Sequence, residues 1–266
     1  MKRTTSSLRR NDRNPFALSV AREASGVETH CMKAQQLPLS LRWPSHQRLD
    51  AFIAGANAHA LDAVRALADG RNESWLYLHG PRGSGKTHLL IGACRSALES
   101  GRNARYLPLN ALDDSRAEAI ASFGAERDEL LAIDDVQAVM GDADSERALF
   151  DLYNRAREAH AMLLFAAAAP PNQLGLQLPD LVSRLSACTQ HALLPLDETG
   201  RREVLRMRAQ QRGLQIDDAV LDWLFARQPR DLAALMELFE RLDHAALAAQ
   251  RRITIPFLRE MLGGTT

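Results

Sequence analysis

Apolar positions along this chain follow two rhythms. The first is the short, nearly unbroken run. Trp75-Leu76-Tyr77-Leu78, Ala104–Leu109, Leu130-Leu131-Ala132-Ile133, Met162-Leu163-Leu164-Phe165 and His191–Leu196 each read as a strand, because a strand buried on both faces shows no polar alternation. The second rhythm is spaced at three and four residues. It predicts a helix from Asn57, a reasonable N-cap, to about Ala68, with Asp69-Gly70 as its stop. It predicts another from His88 to the turn at Gly101, one over 144–160 with Leu149, Phe150, Leu152 and Tyr153 as apolar positions, and a short one over Asp180–Leu185 that leaves Arg184 exposed. Strands alternating with helices imply an α/β fold with a parallel, doubly wound sheet.

From Glu198 onward only the helical rhythm remains. Helices are expected at about 198–212, 217–227 and 231–249, with Leu232, Leu235, Phe239 and Leu242 on one face of the third. A last short element runs from Pro256, suited to a first helical position, to Leu262. The expectation is an α/β core followed by a small all-helical domain, with the boundary near Asp197. The stretch 111–128 is polar and acidic on balance.

The join between the first strand and its helix carries the chemistry. Gly80-Pro81-Arg82-Gly83-Ser84-Gly85-Lys86-Thr87 has the spacing G-x-x-x-x-G-K-[ST] of a P-loop, and His88 opens the helix behind it. A phosphate chain needs closely spaced backbone N–H donors, which glycine permits by having no Cβ in the way. The helix then points its positive end at the phosphates. In this reading Lys86 reaches the β- and γ-phosphates and the Thr87 hydroxyl helps hold Mg²⁺. The third strand ends in Asp134-Asp135, at the edge where open α/β sheets place ligands. Asp134 is the candidate for the Mg²⁺ shell and Asp135 the candidate to orient an attacking water.

Composition narrows the partners. Lys plus Arg and Asp plus Glu are both 33, so the net charge is zero and strong non-specific nucleic-acid binding is not favoured. Cys31, Cys94 and Cys188 are too scattered for a zinc site or a disulfide framework, which suits a reducing cytoplasm. No apolar run approaches the ~20 residues that span a membrane. Residues 1–31 are polar and basic without periodicity. They read as a disordered arm touching nucleic acid, a tail without a role, or an untranslated extension with Met32 as the start. After Met32, Gln36-Leu37-Pro38-Leu39-Ser40-Leu41 is held extended by Pro38. It reads either as a peptide for an apolar groove on a partner or as a strap on its own domain.

Taken in order, these residues resemble the AAA+ ATPases of the DnaA clade, in particular its Hda-like regulators of replication initiation. The resemblance runs from about residue 36 to the end. It is carried by Gln36–Leu39, Phe52–Asn57, the P-loop, Ile133-Asp134-Asp135-Val136-Gln137, Pro170-Pro171, Leu178–Leu185 and Ile253–Phe257. It implies four stretches: 1–31 as the extension, 32–48 as a clamp-binding segment, 49–197 as the AAA+ nucleotide-binding domain, and 198–266 as the helical lid. It implies ADP or ATP with Mg²⁺ as cofactors, bound by Gly80 to His88 and by Arg230 as the sensor 2 arginine, with Thr87 and Asp134 at the metal.

The resemblance also assigns partners. Gln36, Leu37 and Leu39 match the motif that docks on the DNA polymerase III sliding clamp (its beta subunit). Arg184 matches the arginine finger, which acts in trans on nucleotide held by a neighbour. The implied function is regulatory inactivation of the initiator DnaA: a clamp-bound protein stimulates hydrolysis of DnaA-bound ATP and limits re-initiation. A homodimer is a further implied partnership. The alternatives are an autonomous AAA+ ATPase such as a helicase-loader relative, and a non-enzymatic adaptor. Two departures bear on the chain's own turnover. Ala166–Ala169 stand where AAA+ enzymes carry a polar sensor 1 residue, and Asp135 stands where many carry glutamate. Intrinsic hydrolysis is therefore expected to be weak or absent. DnaA continues into a helix-turn-helix domain, whereas this chain stops at Thr266, and 111–128 is acidic, so strong direct DNA binding is not expected.

Overall fold

A computed structural model describes residues 46–71, 74–214, 216–227, 231–249 and 254–262. Five strands form one sheet: β1 Leu76–His79, β2 Ala104–Pro108, β3 Leu130–Asp134, β4 Met162–Ala167 and β5 Thr189–Ala192. Their order is β2-β3-β4-β1-β5 and every pairing is parallel. The connecting helices are α1 Ala58–Ala68, α2 Lys86–Glu99, α3 Arg116–Ser122, α4 Ala143–Glu158 and α5 Pro179–Ser186.

The unbroken apolar runs now have their reason. Successive strand side chains point to opposite faces. Leu76, Leu78, Leu130, Ala132 and Leu164 join the cluster under α1 and α2, with Leu61, Val64, Leu67, Leu89 and Leu90. Tyr77, Leu131, Ile133, Leu163 and Phe165 join the cluster on the other face, with Leu149 and Leu152 of α4 and Leu181 and Leu185 of α5. The runs of β1, β3 and β4 therefore fill two cores at once, which leaves little room for polar positions in them.

Two local expectations are corrected, and the acidic stretch gains an element. The last strand lies at Thr189–Ala192, not 191–196, and its side chains are largely exposed because it is a sheet edge. Leu193 N still donates to His79 O, but Leu194 N turns away to Asn57 Oδ1 (2.8 Å), and Pro195 has no N–H to continue the ladder. Asn57 stands at the N-cap of α1 but caps nothing with its side chain. It is 4% exposed, and its Nδ2 donates to Leu194 O at 2.9 Å. The acidic stretch 111–128 contains a helix, α3, anchored by the buried Ile120.

The helical region comprises α6 Glu198–Gln211, α7 Asp218–Arg227, α8 Leu232–Ala249 and α9 Ile255–Leu262. Asp197 caps α6 through Gly200 N at 2.8 Å. These helices share their own core, including Leu205, Leu221, Leu224, Phe239, Leu242 and Leu258. Leu235, Phe239 and Leu242 of α8 are buried as the pattern predicts, but Leu232 is turned toward the P-loop. Sheet and helices belong to one compact unit.

Candidate functional site

The P-loop leaves β1 at Gly80 and enters α2 at Lys86. Its glycines are required by space as much as by backbone angle. A Cβ at Gly80 would stand 2.4 Å from Leu193 O, a backbone atom that cannot swing aside. Gly85 has φ +95°, and a Cβ there would meet Phe52 Cε2 at 2.5 Å. Ser84 is 4% exposed, yet its Oγ has no hydrogen-bond partner. A buried hydroxyl is ordinarily satisfied, and a phosphate oxygen is the acceptor that P-loops provide for. Glycine cradle and unpaired hydroxyl together fit a phosphate group.

Behind the loop, Lys86 Nζ donates to Gly80 O (2.7 Å) and Pro81 O (3.0 Å). Burial lowers its pKa, and the carboxylates of Asp134 and Asp135 oppose that shift. Thr87 Oγ1 donates to Asp134 Oδ2 at 2.7 Å, and the Tyr106 hydroxyl donates to the same oxygen at 2.9 Å. Asp134 is 1% exposed; burial raises its pKa, and the Thr87 hydrogen bond works against that. The sequence places Thr87 and Asp134 47 residues apart, and the parallel register of β3 and β1 around β4 brings their oxygens together. Among the described residues there is no group of three or more His, Cys, Asp or Glu side chains that could hold a metal alone. This suits Mg²⁺, which takes one or two protein oxygens and completes its shell with phosphates and water.

Asp135 has φ +56°, a left-handed conformation, and its Oδ1 accepts from Gln137 Nε2 at 2.8 Å. Gln137 Oε1 in turn accepts from Ala168 N at 3.0 Å. The Gln137 carboxamide thus spans the ends of β3 and β4, beside the alanines that lack a polar side chain. It was legible only as part of a motif, next to the two aspartates, without a role of its own.

A cleft of about 610 Å³ opens above these groups. The P-loop from Arg82 to His88, with Asp135, Gln137 and Ala168, forms its polar side. Phe52, Ile53, Val204, Met207 and Met236 form an apolar side suited to a planar base. His88 Nε2 lies 2.8 Å from Arg48 O; burial lowers its pKa, and the Arg48 carbonyl opposes that shift. Arg208 of α6 also lines the cleft. Sequence reasoning missed it, since α6 carries several arginines and the pattern alone does not say which one faces the sheet. Pro81 lies on a smaller neighbouring cavity with Asp231 and Leu232, where the start of α8 meets the P-loop.

Arg184 does not line this cleft. It sits in the last turn of α5, half-buried rather than exposed, with its guanidinium 5.9 Å from the Tyr153 ring centroid. The apolar face of α5 holds Leu181 and Leu185 inside, which draws the adjacent arginine stem onto α4. Gln36, Leu37, Leu39 and Arg230 lie outside the described residues. Within the described residues, no helix is long and apolar enough to cross a membrane.

Residues 45–191 match the bacterial DnaA ATPase domain, and residues 197–262 match the Hda lid domain. Among solved structures, domain III of the replication initiation protein DnaA from Thermotoga maritima superposes with a TM-score of 0.71 at 22% identity, covering 83% of this chain and 97% of that one. AMPPCP-bound DnaA from Aquifex aeolicus gives 0.58 at 22% identity, over 74% of this chain and 66% of that one. RuvB from Thermotoga maritima gives 0.61 at 20% identity, over 82% and 71%. At these identities the structures establish the fold, an AAA+ α/β core with a helical lid.

Proposed function

Because the chain belongs to the bacterial DnaA family of AAA+ ATPases and carries an Hda-type lid, we propose that it is a regulator that switches off the replication initiator by promoting hydrolysis of the initiator's ATP. The observation that carries this reading is the position of Arg184. It lies on α5 and does not line the chain's own cleft, which supports a role on a neighbour's nucleotide. An arginine supplied in trans stabilises charge developing on the transferred phosphoryl group, worth about 10³–10⁵ in rate in the GTPase cases.

The chain's own cleft takes ADP or ATP. The AMPPCP-bound relative and the fit of the glycine cradle support this. Thr87 and Asp134 would hold Mg²⁺, which when bound neutralises phosphate charge. Gly80 to His88 cradle the phosphates, Lys86 exchanges its two carbonyl partners for phosphate oxygens, and Arg230 reaches the same nucleotide from the lid. Asp135, fixed by Gln137, orients water, and nucleotide state sets the lid. The segment 32–48 docks on the sliding clamp through Gln36, Leu37 and Leu39, concentrating the finger where the initiator acts. The division at Asp197 separates a nucleotide-binding domain from its lid.

The test measures ATP hydrolysis by DnaA in the presence of clamp, DNA and this protein. Wild type should accelerate hydrolysis, Arg184→Ala should bind clamp normally but fail to accelerate, and Gln36→Ala with Leu39→Ala should lose clamp pull-down. Stimulation by Arg184→Ala equal to wild type would sink the finger assignment. Appreciable turnover by the purified chain alone would favour an autonomous ATPase instead.

A further inference from the structure

Among the arginines of α6 and its C-cap, Arg201 donates to Leu196 O, and the other four differ in their ion pairs. Arg202 pairs with Glu198 and Asp222, Arg206 with Asp218, and Arg212 with Asp243. The Arg208 side chain makes no ion pair or hydrogen bond with another described residue, and among these four arginines it is the one that lines the cleft. Arg208 is half-buried and lines the cleft together with Val204 and Met207 of its own helix and His46 of the incoming segment. An unpaired charge held away from water is costly unless a counter-ion completes it.

The other charges around it do not supply that counter-ion. Glu240 of α8 attracts it without reaching ion-pair distance, and Arg212 repels it. The desolvation leaves a mark, lowering the Arg208 pKa to about 10. Arg208 in turn disfavours the protonated form of His46, after burial. Arg208 shares the cleft with the P-loop residues Arg82 to His88. Arg82, the arginine of the P-loop itself, is engaged by Glu237 at 2.6 Å.

We propose that Arg208 is a ligand-facing cation supplied by the first lid helix, which binds the phosphate chain of the nucleotide and draws α6 onto the P-loop. The proposal rests on the reading of the cleft as a nucleotide site. It adds to Arg230 a second binding residue on the lid, and it makes lid closure respond to the anionic part of the ligand.

The experiment is calorimetric titration of ADP into the full chain, nucleotide-free, as wild type, Arg208→Met and Arg208→Lys, with the ligand-free melting temperature of each. Methionine keeps the apolar stem and removes the charge. Wild type should bind ADP, and Arg208→Met should bind about tenfold or more weakly. Arg208→Lys should fall between them, and all three should melt alike without ligand. ADP binding by Arg208→Met within twofold of wild type overturns the proposal. So does weakened binding matched by a large fall in ligand-free melting temperature in both variants, which would make Arg208 a packing residue. A wild-type chain that binds no ADP instead overturns the nucleotide-site reading on which the proposal stands.

Discussion

Glu146 of α4 accepts a hydrogen bond from the Leu178 backbone N–H at 2.7 Å, and this contact sets where α5 begins. The same carboxylate accepts from Gln177 N at 2.8 Å and Gly141 N at 3.2 Å, at 1% exposure. Leu178 cannot cap α5 with its own side chain, so a residue 32 positions earlier does the work. Glu146→Ala leaves three backbone donors short of a partner and should cost about 2–3 kcal/mol. Thermal denaturation should show a midpoint lower by about 5–10 °C. Glu146→Gln, with one accepting oxygen, should lose less. Since α5 bears Arg184, both variants should impair stimulation of the initiator's ATPase more than they impair ADP binding.

Asn57 ties the start of α1 to the chain crossing from β5 to the lid. Its carboxamide both donates to and accepts from Leu194, 137 residues away. Asn57→Ala should cost about 2 kcal/mol in urea denaturation, from two lost bonds and an unpaired Leu194 amide. Asn57→Asp should cost more, because one donor becomes a buried charge. An Asn57→Ala protein as stable as wild type would show that water replaces the side chain at no cost.

The P-loop variants should separate folding from binding. Gly80→Ala forces a Cβ against Leu193 O, a contact of 2.4 Å unless the backbone moves. It should destabilise the ligand-free protein by about 2–4 kcal/mol and abolish ADP-induced stabilisation. Lys86→Ala should leave the ligand-free midpoint unchanged, since Lys86 meets only two carbonyls at its ammonium. Its ADP affinity should fall about a hundredfold.

Acid should weaken the fold through its histidines. His46 is held down to about 3 by burial first, then by the charges of Arg208, His88, Arg212 and Arg95. Burial also lowers His79, with Lys86 adding to it, and lowers His88 and His191. The unfolded chain binds protons at these sites below about pH 6.5 while the folded chain does not, so stability rises with pH across that window. Stability should be level from pH 7 to 8 and fall progressively from pH 6.5 toward pH 4. Asp134, raised by burial, acts in the opposite sense at the acid end. His46→Gln should flatten the slope, and an unchanged slope would mean that His46 takes up its proton without unfolding.

By itself the sequence determined what depends on near neighbours. The apolar runs, the helical periods and the P-loop spacing are local patterns, and backbone geometry converts them directly into strands, helices and a phosphate cradle. Adjacent residues also suffice for the acidic end of β3, because a strand end is where an apolar run stops. Only the tertiary structure decided which polar groups meet across the chain. Asn57 looks like a helix cap until Leu194 takes its side chain. Gln137 looks like the tail of a motif until Ala168 lies against it, and Arg208 looks like any α6 arginine until the lid turns it to the cleft. The physical reason is that a polar side chain goes to whichever partner the fold buries beside it, and these partners lie 31 to 137 residues apart, a distance no local period records.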